Sequence, residues 1–331
     1  MWDFSIGQAI GLLGRTAPFV IFRVVVYFGI TVALIVATGT GAGIGWGIGN
    51  LGDEAFRGGA TAWGAFGGFA VSAGIIFFLR DYLLYIVKAG HIAVMVELMQ
   101  GGTIPAGRGQ IDHASGVVKA RFGQASALFA LDQVIKGVVG VITGLVQGIL
   151  AILPIPGLDR IMGVVRAYLR VSVGLVDEVI LAHAIRTKSD NPWGSAREAL
   201  VLYAQNAKPM MINAAWLTLF IWVLSFLVFL VMLAPAALVV WLLPGTWSAG
   251  GFIFAIVFAW AVKAALIEPF AIACLLQVFF KVTEGQTPNP EWEARLERAS
   301  DKFRSMGQRA MAWAGGRFGG GRAAGGQPLG V

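Results

Sequence analysis

Four stretches of this chain, 18–36, 60–79, 210–233 and 251–280, are apolar over the length a helix needs to cross a bilayer. A hydrocarbon core of ~30 Å takes about 20 helical residues at ~1.5 Å each. The chain also lacks the polar residues to cover a water-facing surface. Charged residues are 13% of it and hydrophobic residues 57%, where an average soluble domain carries roughly 25% charged. The fold class that follows is all-α: a polytopic integral membrane helical bundle with four clear spans.

Between the second and third spans lies a stretch, 125–185, that is apolar yet carries Asp132, Lys136, Arg166, Arg170, Asp177 and Glu178. Leu153-Pro154-Ile155-Pro156-Gly157 reverses the chain at its middle. Its halves read as two short charged membrane helices that either re-enter or cross. Asp132 and Lys136 pair at i, i+4 along one helix face. Arg166 and Arg170 meet Asp177, Glu178 or Glu268 only through tertiary packing. A charge inside a bilayer is costly and marks a functional site by default. These six residues, with Lys263 and Glu268 in the fourth run, are therefore the candidate solute pathway. Glu268 beside Trp260, Tyr85 or Trp63 would make a cage for a quaternary ammonium. Paired structural charges are the competing reading.

Glycines punctuate the end of the first span. If helical, they form two rows on opposite sides, Gly39, Gly43, Gly47 and Gly41, Gly45, Gly49. Such rows let helices approach closely in lipid. If not helical, they form an outer loop. A dinucleotide-binding fold is excluded, because no strand precedes the run. Arg23 lies one turn inside the first span, close enough to its end to snorkel.

The flanks repeat an order of parts: surface helix, proline, span, outer loop, long span, break, surface helix. Gly101-x-Thr103 matches Gly285-x-Thr287, each with a proline close behind. This layout suggests a parallel internal repeat, 1–123 and 191–314, around a central hairpin at 124–190. All would form one membrane domain, 1–314, before a disordered Gly-rich tail, 315–331. Amphipathic surface helices are expected near 5–14, 111–122, 193–206 and 291–312, the first with Ile6, Ala9, Ile10 and Leu13 on one face. The third span is expected to stop before Pro235, and the fourth to tilt, to kink at Pro269 or to extend beyond the lipid.

The formal net charge is +7. Lys and Arg gather at 80–121, 160–208 and after 280, which places both termini in the cytoplasm of a cell with a bacterial inner membrane. The opening Met1-Trp2-Asp3-Phe4 lacks a basic n-region, so the first span is expected to be retained. The lone Cys274 excludes an intrachain disulfide.

One segment is similar to a known family. Ser195-Ala196-Arg197-Glu198-Ala199-Leu200, with Asn206 before a span, resembles the Ser-Ala-Lys/Arg-x-Ala-Phe helix of choline transporter-like proteins. Gln205-Asn206 stands where that helix ends in Arg-Asn. The resemblance covers roughly the last half of the chain, which lacks the large extracellular loop of animal members. Uncharacterised bacterial multi-pass membrane families use a similar helix. The resemblance implies a carrier of choline-like solutes.

His91, His113 and His183 are far apart and no hydrolase or nucleotide motif occurs, so no enzyme, cofactor or metal is expected. The expected partners are membrane lipid, a second copy through the glycine rows, and a small-molecule solute, not nucleic acid. Two functions follow: a transporter or channel with its path through the central helices, or a non-transporting, oligomeric membrane scaffold or assembly protein.

Overall fold

The computed structural model describes residues 2–107, 109–122, 134–135, 137–138, 176–242 and 250–319. Every element among them is helical: α1 (Ile6–Arg15), α2 (Ala17–Gly49), α3 (Glu54–Met99), α4 (Gly109–Phe122), α5 (Val176–Arg186), α6 (Pro192–Gln205), α7 (Ala207–Leu242), α8 (Gly250–Val262), a π-helical turn (Lys263–Ile267), α9 (Glu268–Val282), α10 (Pro290–Ala299) and α11 (Asp301–Gly319). Four helices are long and apolar enough to cross a membrane: Ala17–Gly49, Glu54–Phe77, Ala207–Trp241 and Gly251–Val282. The chain divides into two compact units, each drawing on both flanking segments, 1–123 and 191–314.

The first unit comprises Gly7–Lys88 and Leu219–Ala273. Its helices turn apolar side chains outward: Ile21, Val25, Val71, Phe226 and Val231 are each more than 60% exposed. A water-facing unit does not present such a surface, whereas lipid solvates it. Several hydroxyls in these helices are satisfied by the carbonyl one turn back, whereas that of Ser225 has no partner among the described residues. Thr31 donates to the Tyr27 carbonyl at 3.1 Å, Thr38 to Leu34 at 2.7 Å and Ser72 to Gly68 at 2.8 Å. This is the arrangement an apolar surround demands, because an unpaired hydroxyl there costs free energy.

α2 runs straight through the glycines to Gly49, so they are helical. The Asp53 carboxylate then caps α3 by accepting from the Phe56 N–H at 2.8 Å. One glycine row forms the seam of this hairpin. A Cβ on Gly41 would overlap the Gly64 carbonyl, one on Gly45 the Ala60 carbonyl, and one on Gly49 the Arg57 backbone. Gly43 and Gly47 on the other side meet nothing. The row Gly41, Gly45, Gly49 is thus spent within the chain, and this corrects its expected use in self-association.

α7 passes Pro235 without breaking, contrary to the expected stop. Ending a helix inside lipid would strand several backbone groups, whereas one proline removes a single donor. Ala236, next to it, is buried in a cluster with Phe254 and Ala255 of α8.

The second unit comprises Met1–Ile6, Ala89–Thr218 and Cys274–Val331. Among its described residues only Ile6, Ile212, Trp216 and Met311 are large, apolar and exposed. α6 packs against α5, α10 and α11. It was expected to lie on a surface. Instead Trp193, Ala196, Ala199, Leu200, Val201, Leu202, Tyr203 and Ala204 are all buried. A helix apolar on every side is buried, and small alanines let neighbours approach. Asn191 caps α6, accepting from the Gly194 N–H at 3.0 Å. On α1 the buried residues are Ala9 and Leu12, while Ile6 and Ile10 are exposed. The expected face was therefore set about a quarter-turn off.

Candidate functional site

Pro269 creates the site. A proline has no N–H to give its helix. Just before it the helix widens into the π turn, where the Glu268 N–H bonds the Lys263 carbonyl five residues back. In that register the Ala264 carbonyl would take its bond from residue 269, and proline supplies none. The guanidinium of Arg23 on α2 fills the gap. Its Nε donates to the Ala264 carbonyl at 3.2 Å and its Nη2 at 2.5 Å. Arg23 is consequently fully buried. It does not snorkel as expected, because the orphaned carbonyl holds it inside.

The same turn makes an ion pair. Residues five apart on an α-helix point about 140° away from each other, out of reach. Across the wider turn Lys263 Nζ meets Glu268 Oε1 at 3.1 Å. Arg23 Nη2 reaches Glu268 Oε2 at 3.5 Å. Two cations thus address one carboxylate. Nη1 of Arg23 has no hydrogen-bond partner among the described residues. The side chains of Glu268 and Lys263 remain 24% and 34% exposed, so the group opens to the surface on their side. Below the guanidinium, Tyr27 lies 5.7 Å from Arg23 Cζ, and the Trp260 ring meets Tyr27 edge-on at 5.3 Å. π turns concentrate at functional positions, as do intramembrane charges.

Of the eight pathway candidates, this turn joins Lys263 and Glu268. Glu178 is buried on α5, in the other unit, and Asp177 is on the same helix. Asp132, Lys136, Arg166 and Arg170 lie outside the described residues, as does most of the central stretch expected to form two short membrane helices. The quaternary-ammonium cage does not form from Glu268, Trp260 and Trp63. Both Glu268 oxygens already hold cations, Trp260 is engaged with Tyr27, and Trp63 is 74% exposed beside Phe66. Tyr85 has no described side chain.

No protein-family model matches the chain, and no curated protein or solved structure matches it significantly. The likeness to choline transporter-like proteins therefore rests on its short motifs alone, and the structure shows how those residues are used here. Ser195 is buried, with its hydroxyl 3.0 Å from that of Thr187. Arg197 ties α10 and α11 to α6: it bonds Glu293 at 2.9 Å and Glu297, and stacks over Phe303 at 4.7 Å. Asn206 Nδ2 donates to Gln286 Oε1 at 2.8 Å, and Gln205 Oε1 accepts from the Asn289 N–H at 3.0 Å. This pins the turn at Gly285, whose φ of 69° suits glycine. The motif serves to hold this unit together.

His183 gives this unit a pH dependence. Burial, and then the nearby Arg186 charge, depress its pKa to about 4. Well above pH 6.5 it is neutral whether folded or not. As pH falls toward 4 the unfolded chain takes up the proton first, so stability is lost across that window. Glu198, 3.8 Å away, has its pKa raised by burial, and so acts with the opposite sign. His183→Gln is expected to remove the histidine contribution, a difference of about 2 kcal/mol at pH 5 relative to pH 7.5. Denaturation of both proteins at the two pH values checks this. An identical pH dependence would refute it.

Proposed function

We propose that this is a multi-pass membrane protein that binds a small solute within its helices, at Arg23, Lys263 and Glu268, and passes it across the bilayer. The observation that carries this reading is the fully buried Arg23, held on the carbonyl that Pro269 strands, with one guanidinium nitrogen unpartnered among the described residues. A purely structural arginine would use its fork fully, since an orphaned buried donor is costly. The distribution of Lys and Arg supports a bacterial inner membrane with cytoplasmic termini. The solute is not choline-like in this reading, because the site carries an excess of positive charge.

A scaffold is the second reading, favoured by the 3.1 Å Lys263–Glu268 pair, which neutralises both groups. Thiol accessibility separates the two. In a Cys274→Ser background, Lys263→Cys and Glu268→Cys are treated with a membrane-impermeant thiol reagent, with Asp53→Cys as the exposed control. A solute site predicts that both positions react. Silence at both, with the control labelled, would establish the sealed structural pair.

A further inference from the structure

We infer that the site takes an anionic group, a carboxylate or a phosphate, on the free nitrogen of Arg23 and the ammonium of Lys263. This rests on the solute-site reading above and adds the ligand's chemistry. Arg23 and Lys263 face the single carboxylate of Glu268, which leaves one positive charge in excess among these three described groups. In a low-dielectric surround such an excess draws in a counter-ion. Nη1 is a desolvated donor without an acceptor among the described residues, on a side chain that is fully buried. The guanidinium fork is matched to planar or tetrahedral oxyanions, and two of its three nitrogens are already fixed on Ala264, which orients the third.

Glu268 shows how the exchange works. It is a carboxylate of the chain's own, resting on the two cations that the ligand would use. Its contact with Lys263 is firm at 3.1 Å and that with Arg23 is long at 3.5 Å. An incoming oxyanion competes with the weaker of these contacts. Glu268 is therefore a built-in competitor that keeps anion binding reversible, and removing its charge should tighten binding. That result runs against a structural role, in which every change to the cluster weakens the protein and none creates affinity.

Two sources offer the same chemistry: a free oxyanion or an anionic lipid headgroup. Arg23 lies six residues from the start of α2, or about 9 Å along it, a depth that both can reach. The test uses delipidated protein in a neutral detergent. Inorganic phosphate, acetate and succinate are titrated by calorimetry. Phosphatidylglycerol is compared with phosphatidylcholine by native mass spectrometry. Wild type is expected to bind at least one of the soluble anions or phosphatidylglycerol. Glu268→Gln should bind it several-fold more tightly, through loss of a like charge. Arg23→Lys, which keeps the charge but loses the fork, should bind about tenfold more weakly. Soluble anions alone would identify a free solute, and phosphatidylglycerol alone a headgroup; each supports the inference. If only choline binds, and Arg23→Lys weakens it, the inference fails while the solute site stands. If no probe binds wild type or Glu268→Gln, and Lys263→Cys is unlabelled, both readings fail.

Discussion

Gly45→Leu should prevent the α2–α3 hairpin from closing, whereas Gly47→Leu, two residues on, should leave the protein folded. A Cβ at Gly45 would overlap the Ala60 carbonyl and crowd the Thr61 Cα, both backbone atoms that no rotamer change can move. The helices would have to separate along the whole seam, including the reciprocal approach of Gly64 to Gly41 and of Gly68 to Ala37. Close packing is the main force between helices in lipid, so the loss is large. We expect more than about 4 kcal/mol, the range reserved for severe overpacking. At Gly47 a Cβ meets open space, and leucine is a better helix former than glycine by about 0.8 kcal/mol. Thermal denaturation in detergent, read as monodisperse protein remaining, compares the two. Equal behaviour would show that the seam does not hold the hairpin.

Arg23→Leu should be strongly destabilising, and Pro269→Ala should partly rescue it. Leucine fills space but donates nothing. The Ala264 carbonyl then loses both guanidinium bonds, and Glu268 keeps its Lys263 ion pair. Removing one partner from a buried charged group typically costs about 3–5 kcal/mol. Alanine at position 269 restores a backbone N–H, which bonds the Ala264 carbonyl in the π register. If the turn reverts to a regular helix, the Glu268 N–H does so instead. The double variant should therefore recover about 1–3 kcal/mol, the cost of an unsatisfied buried acceptor. A double-mutant cycle on the unfolding midpoint measures that coupling. Strict additivity would mean that Arg23 is not there to serve the carbonyl stranded by proline.

These two results bear on what the sequence makes legible. Long apolar runs mark the four helices, because lipid forces each backbone to satisfy itself. The glycine rows were legible as rows, but which one packs was not. That choice is made by Ala60, Gly64 and Gly68, whose matching four-residue spacing on the next helix was a readable signal. Arg23 and Glu268 were each visible as intramembrane charges, yet 245 positions separate them. Their meeting depends on a register change five residues long. The readable clue was Pro269 inside an otherwise helical run, flanked by Glu268 and by Lys263 at a spacing that no α-helix brings together. Burial of α6 was missed for a different reason: its alanines read as neutral, and only the helices on its other side reveal that they allow close approach.

The central claim is that a solute uses the Arg23 site to cross the membrane. Its most direct test is flux from vesicles of neutral lipid containing the purified protein, loaded with labelled phosphate, acetate, succinate or choline. The account predicts faster release of at least one anion from wild-type vesicles than from protein-free ones, loss of that excess with Arg23→Lys, and no excess for choline. Release at the protein-free rate for all four, from vesicles in which the protein is folded, would contradict it.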